Sequence, residues 1–284
     1  MPSGSWKKTS LPESVLRQTS DFSGRPDQGA ITMSPFPRII HQTWKTDRIP
    51  ERFAAWVHSW KRHHPRWRHI LWTDRSGREF VKTRYPDRLM LYDSYDQAIK
   101  RADLLRYLLM HGIGGIYADL DVECLAPMDP LLRDGAFCLL GQEPELHAKR
   151  LYGRVRLVSN AVLASVPGHR FWSHVFAVMS ATSAEKDVLD ATGPRMLDRA
   201  LANYPHDDIF LLPADVWNPL VDVACASLKL SASEQAFYRR MVADRTFPAA
   251  SQAVHHWAGT WYSGGVAGAL GRLWRRMTWR ILRR

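Results

Sequence analysis

The sequence predicts a layered α/β domain, and three observations predict it. Short apolar runs ending on turn residues alternate with segments that repeat apolar residues at helical spacing, the mark of strands interleaved with helices. The clearest helical period stops at a glycine cluster and passes at once into a short apolar run closing on Asp119-Leu120-Asp121. The chain has 284 residues and 45% hydrophobic content, enough for a core that needs no staples.

Taken in order, residues 1–34 are rich in Ser, Pro, Gly and Thr without an apolar period and read as a disordered leader. A single domain is expected over 35–265. Arg38 to Trp44 reads as a short buried strand around Ile39-Ile40. Glu51 to His63 places Phe53, Trp56, Val57 and Trp60 at helical spacing, and Pro65 ends that helix. Trp67 to Trp72 reads as a second strand, closed by Thr73-Asp74. The helix from Asp96 to His111 presents Ala98, Ala102, Leu105, Leu108 and Leu109, and Gly112, Gly114 and Gly115 stop it. Ile116-Tyr117-Ala118 starts the strand that ends on the two aspartates. A strand near Phe137 to Leu140 follows, then helices near Phe171 to Ser180 and from Pro194 to Leu201, the last with proline in its first turn. Ligands in such sheets bind beyond the carboxyl ends of strands, which is where Asp119 and Asp121 fall.

The formal net charge is +11, which points to an anionic partner: a membrane surface, a nucleic acid or a phosphorylated substrate. Six arginines fall between Arg272 and Arg284. No run reaches the roughly 20 apolar residues that span a bilayer, and no apolar segment follows Lys7-Lys8, so neither a spanning helix nor a secretory signal is expected. The three cysteines, Cys124, Cys138 and Cys225, form no C-x-x-C pair and read as buried thiols of a reducing compartment.

Two aspartates one residue apart at a strand end can share one cation. Mg²⁺ and Mn²⁺ take oxygen ligands and bridge carboxylates to phosphates, where they stabilise charge on a leaving group. An isolated D-x-D is weak, since a chain with 20 aspartates yields roughly one by chance; the alternative is a solvated turn. Here the motif follows Gly-Gly and lies behind a helix carrying Asp103 and Arg106.

The run PRIIHQTW at Pro37 to Trp44 resembles the opening of the DXD-containing sugar transferases grouped as glycosyltransferase family 32, which includes yeast Golgi α-1,6-mannosyltransferases and bacterial polysaccharide enzymes. Five further segments are similar and in order: WTD at Trp72 to Asp74, KRADLLRYLLMHGIGGIYADLDVECLAPMDPLL at Lys100 to Leu132, SNAVLASVPGHRFW at Ser159 to Trp172, TGPRML at Thr192 to Leu197, and HHWAGTW at His255 to Trp261. The resemblance implies a GT-A type nucleotide-sugar-binding fold, a Rossmann-like mixed sheet flanked by helices. It implies a hexosyltransferase that moves a sugar from a UDP- or GDP-linked donor to a glycan or lipid-linked acceptor with Mn²⁺ or Mg²⁺, retaining anomeric configuration.

The resemblance also implies a role for each of several residues. Trp44 stacks on the nucleobase. Asp103 contacts sugar or ribose hydroxyls, and Arg106, on the same helix face, lies by the sugar and diphosphate. Asp119 binds ribose or sugar, partly through the metal, and Asp121 is the direct metal ligand. Asn160 faces donor sugar or acceptor. His256, preferred to its neighbour His255, completes the metal site, and Trp261 closes over the diphosphate. Tyr117 shares a strand face with Asp119 and is expected to pack.

Residues 266–284 read as a basic amphipathic helix. Over 268–284, Leu270, Leu273, Trp274, Met277 and Ile281 share one face and Arg272, Arg275, Arg276 and Arg283 oppose it, while Trp279 and Leu282 interrupt the basic side. Such a helix suits the anionic surface of a membrane; with no spanning helix expected, the expected location is cytoplasmic and peripheral on the inner face of a bacterial membrane. Two other classes fit parts of the sequence. A HAD-type phosphatase would use Asp119 as nucleophile and Asp121 as acid/base, but leaves Trp44 and the TGP and HHW runs without roles. A basic nucleic-acid-binding protein would fit the charge, yet no helix-turn-helix, zinc-finger or RNP pattern is present, and no nucleic acid partner is expected.

Overall fold

The computed structural model describes residues 36–132 and 137–259. The leader, Trp261 and the helix expected over 266–284 lie outside the described residues. The first half runs β1 (Ile39–Thr43), α1 (Glu51–His63), β2 (Arg68–Trp72), α2 (Asp74–Arg84), α3 (Pro86–Ser94), α4 (Ala98–Gly112), β3 (Gly115–Ala118) and β4 (Val122–Cys124). The second half runs β5 (Cys138–Gln142), α5 (Glu145–Tyr152), β6 (Val158–Ser165), α6 (Arg170–Thr182), α7 (Val188–Ala191), α8 (Pro194–Ala202), β7 (Phe210–Leu212), α9 (Ala214–Trp217), α10 (Ala232–Ala243) and β8 (Ala253–His255).

Six strands form one sheet in the order β2-β1-β3-β6-β5-β7, and β4 and β8 form a separate two-stranded ribbon. Pairing is parallel except where β6 meets β3 and β5. The carboxyl ends of β1, β3 and β5 therefore share one edge, and β6 begins there. This mixed sheet flanked by helices is the arrangement that the resemblance implied.

Alternation along the strands builds two cores. Tyr117, Leu163 and Leu140 face α4, α6 and α8, joining Leu108, Leu109, Trp172 and Met196. Their neighbours Ile116, Ala118, Leu139 and Val162 face the other way, joining Ile40, Trp60 of α1 and Trp217 of α9. β3 is buried at every position, as expected of a central strand covered on both faces. α4 is buried nearly all round, polar residues Asp103 and Arg106 included, so its sequence shows a face where the structure has none to spare for solvent.

The glycines between α4 and β3 set the entry to that strand. Gly115 has φ +94°, and a Cβ there would meet the Ile39 carbonyl oxygen at 2.5 Å. Only glycine allows both the left-handed turn and this approach of β3 to β1. Thr73, between β2 and α2, accepts from Ser76 N–H at 3.1 Å while its own N–H donates to Ser76 Oγ at 2.9 Å, so the WTD run is a strand end joined to a capped helix.

Candidate active site

A cavity of about 520 Å³ opens along the carboxyl edge of the sheet, within the range of small-molecule sites. Trp44 and Lys45 after β1, Asp119 and Asp121 after β3, Glu143 after β5, and Ser159 and Asn160 at the start of β6 line it, together with Asp103 and Arg106 of α4 and with His255 and Trp257.

Asp119 leaves the sheet while its N–H still donates to Ala161 O at 2.9 Å, and its carbonyl closes the turn on Val122 N–H at 3.1 Å. The Tyr117 hydroxyl donates to Asp119 Oδ1 at 2.7 Å and lies 2.9 Å from Thr43 Oγ1. With the Tyr117 proton committed to the carboxylate, Thr43 is the donor in the second bond. Tyr117 packs, as expected, but its hydroxyl also fixes Asp119. Burial and Asp119 drive the phenol well above its ordinary pKa, against the pull of Arg106, so it remains a donor.

Asp121 is wrapped by the segment after β8. Its Oδ2 accepts from Ala258 N–H at 2.8 Å, its carbonyl accepts from His256 N–H at 2.9 Å, and His255 Nε2 lies 3.3 Å from its Oδ1. Burial opposes ionisation of Asp121, but the His255 imidazole and the Ala258 N–H hold its carboxyl at about 2. For His255 burial lowers the pKa, while Asp121 and Asp119 outweigh it and raise it. Asp119, Asp121 and His255 each offer one ligand atom, all within 4.8 Å of one another. Two carboxylates and an imidazole are a donor set that suits a divalent cation.

The histidine that converges here is His255, whereas the sequence reading preferred His256. Successive residues on a strand point to opposite sides. His256 turns away, stacks on Trp56 with centroids 4.3 Å apart and 8° between planes, and places Nε2 3.1 Å from Glu123 Oε2. Arg245 Nη2 donates to the other oxygen of Glu123 at 2.8 Å. Burial raises the Glu123 pKa, but these two partners bring it down to about 2.

Asp103, Arg106 and Asn160 form one network. Arg106 donates from Nη1 to Asn160 O at 2.7 Å and to Asp119 at 3.3 Å, and Nη2 lies 3.1 Å from Asp103 Oδ1. Asn160 Nδ2 donates to Asp103 Oδ1 at 3.0 Å, and Thr192 Oγ1 donates to Asp103 Oδ2 at 2.8 Å. Burial pushes Asp103 up to about 7, opposed by Arg106, Thr192 and Asn160. The Arg106 fork is thus largely committed within the protein, and it orients Asp119 rather than standing open to a diphosphate. Lys45, exposed on the cavity rim, is a cation that the sequence reading passed over. Thr192 of the TGP run anchors Asp103, a role its sequence context does not signal. Trp44 lines the cavity half-buried, edge-on to Phe53 at 5.5 Å. Trp261 lies outside the described residues.

Fold and site together have the features that the resemblance implies, a mixed sheet with a D-x-D pair at its carboxyl edge facing a cavity. Residues 50–138 match the family model described as the glycosyltransferase sugar-binding region containing the DXD motif. It is 33% identical over 210 residues to inositol phosphoceramide mannosyltransferase 1 of Schizosaccharomyces pombe, covering 70% of this chain and 61% of that protein. It is 31% identical over 141 residues to the initiation-specific alpha-1,6-mannosyltransferase of Candida albicans, covering 47% of this chain and 36% of that one. The chain therefore spans only part of either relative. Among solved structures, the PaToxG glycosyltransferase aligns over 88% of this chain and 89% of its own, at 16% identity and a TM-score of 0.47.

Proposed function

We propose that this chain is a metal-dependent hexosyltransferase that moves a sugar from a nucleotide donor to a glycan or lipid-linked acceptor. The observation that carries the reading is the convergence of Asp119, Asp121 and His255 in the cavity at the end of β3. The names of the two relatives support a mannosyl donor, and that of inositol phosphoceramide mannosyltransferase 1 supports an inositol phosphoceramide acceptor.

Asp119, Asp121 and His255 would hold Mn²⁺ or Mg²⁺, which supplies Lewis-acid neutralisation of the departing diphosphate. The remaining roles fall to the chain itself. Trp44 offers a flat apolar wall for a nucleobase, and Lys45 offers charge to the phosphates. Asn160 presents its amide oxygen to sugar hydroxyls while its N–H groups hold Asp103 and Tyr107, and Arg106 keeps Asp119 in place. Under retention, the departing phosphate accepts the proton of the incoming hydroxyl, and no carboxylate pair at glycosidase spacing is required. The basic segment 268–284 gives the enzyme peripheral contact with an anionic membrane surface, the inner face of a bacterial membrane in this reading. Among the described residues no helix is long and apolar enough to cross a membrane.

The test is nucleotide-sugar hydrolysis across UDP- and GDP-linked donors, with Mn²⁺ or EDTA, in wild type and Asp121→Ala. Metal-dependent turnover of one donor, lost in the variant, is expected. Turnover that survives both EDTA and the substitution would sink the metal-site reading, and release of phosphate from monoesters would favour the phosphatase.

A further inference from the structure

Beyond the acidic pair, a second polar cluster closes the cavity. β3 and β5 run the same way on either side of β6, so Glu143 stands on the same edge as Asp119, about 10 Å along it by strand spacing. The Glu143 side chain is only 9% exposed, yet Glu143 lines the cavity.

One of its oxygens is held by the protein. The backbone N–H of Asp222 donates to His147 Nε2 at 2.9 Å, which puts the ring proton on Nδ1, and Nδ1 donates to Glu143 Oε2 at 2.9 Å. α5 opens at Glu145 and carries His147 one turn from Glu143, so local helix geometry sets this contact. Both nitrogens of His147 are committed. Glu143 Oε1 accepts no hydrogen bond among the described residues. A carboxylate this buried keeps an oxygen without a partner only where a donor can reach it.

Trp257 stands between this cluster and the acidic pair. Its ring centroid is 4.1 Å from that of His255 and 4.5 Å from that of His147. Its Nε1 donates to Leu220 O at 2.7 Å, and its φ of +52° is one that residues other than glycine seldom adopt. An aromatic wall beside a carboxylate matches a hydroxylated ring, whose C–H surface packs on the aromatic while a hydroxyl donates to the oxygen. A negative charge there repels phosphate, so the group it receives is a neutral hydroxyl.

We infer that Glu143, oriented by His147, receives a ring hydroxyl of the acceptor, and that Trp257 forms the wall of that subsite. This rests on the transferase reading and specifies its acceptor: a polyol ring, sugar or cyclitol, reaching the cavity from the β5 side.

The test uses the full chain as wild type and Glu143→Gln. The substitution keeps an oxygen for His147 Nδ1–H but turns an amide NH₂ toward the cavity. Acceptor KM and kcat are measured with methyl α-mannoside, myo-inositol and a short-chain phosphatidylinositol, and the dissociation constant of nucleotide plus Mn²⁺ is measured by calorimetry. Acceptor KM should rise on the order of tenfold to a hundredfold, the cost of one hydrogen bond to a charged group, with nucleotide affinity within about twofold of wild type. An unchanged acceptor KM overturns the assignment. A matching loss of nucleotide affinity also overturns it, by placing Glu143 on the donor side. A wild type that turns over donor but transfers to none of the three polyols removes the ring-hydroxyl assignment alone. A wild type that binds no nucleotide with Mn²⁺ removes the transferase reading itself.

Discussion

Replacing Tyr117 by phenylalanine isolates a single oxygen at the acidic pair. The ring is fully buried and lies under the Arg106 guanidinium at 4.7 Å; phenylalanine keeps both the packing and that stacking. What disappears is the hydroxyl that donates to Asp119 Oδ1 at 2.7 Å. A hydrogen bond to an ionised group contributes about 1.5–3 kcal/mol, which at about 1.4 kcal/mol per tenfold corresponds to roughly 10- to 150-fold in affinity. Arg106 still reaches Asp119 at 3.3 Å, so the lower part of that range applies. Loss of a partner that orients a metal-binding carboxylate typically costs about 10- to 100-fold, in agreement. The assay is a Mn²⁺ titration by calorimetry with a thermal melt alongside. Mn²⁺ affinity should fall about tenfold to thirtyfold. Thr43 loses its acceptor, at a cost of about 1 kcal/mol or a few degrees of Tm. A Mn²⁺ dissociation constant within about twofold of wild type, with the melt shifted as expected, would refute the reasoning and leave Tyr117 a packing residue.

His255→Ala should weaken Mn²⁺ binding by about tenfold or more, and His256→Ala should do so much less while lowering stability through Glu123; calorimetry and melts of the two variants decide it, and the reverse order would return the ligand role to His256. Glu123 supplies an acid-sensitive contribution. Its pKa is held at about 2 against an ordinary 4.5, so the stabilisation is fully present above 4.5 and vanishes as pH falls from 4.5 toward 2, at most about 3 kcal/mol. Urea unfolding across that window should show a shallower acid limb in Glu123→Gln, and identical limbs would contradict the assignment. Gly115→Ala should cost more than about 2 kcal/mol, because the left-handed backbone and the Ile39 carbonyl both oppose a side chain; a neutral effect in chemical denaturation would show that β1 and β3 can part.

The elements that sequence made legible are those with strong local punctuation. α1 spans Glu51–His63 as expected, since its apolar spacing is regular and Pro65 follows. β6, by contrast, carries no strand signal in its sequence, Val158 to Ser165. It is buried on both faces and so lacks the alternation that marks a strand. α2 shows little apolar period, because only Gly77, Phe80 and Val81 of its eleven residues are buried. α10 was missed even though Ser231 and Glu234 form a capping box, a signal present in the sequence itself. In the site, Asp103, Asp119, Asp121 and Asn160 all line one cavity. The choice between His255 and His256 was not local: it depends on the register of β8 against β4, Val122 opposite His255. Glu143 and Lys45 carry no motif, and only the sheet order brings Glu143 to the edge that bears Asp119.

The β4–β8 ribbon also sets a clock. Val122 to Cys124 pair with Ala253 to His255, and the wrap on Asp121 comes from Ala258, 137 residues later. On the ribosome, β1, β3 and β5 are complete while His255 is still unmade. The acidic pair is therefore in place before the imidazole that meets it. Docking of β8 does two things at once, covering the edge of β4 and bringing His255 to Asp119 and Asp121.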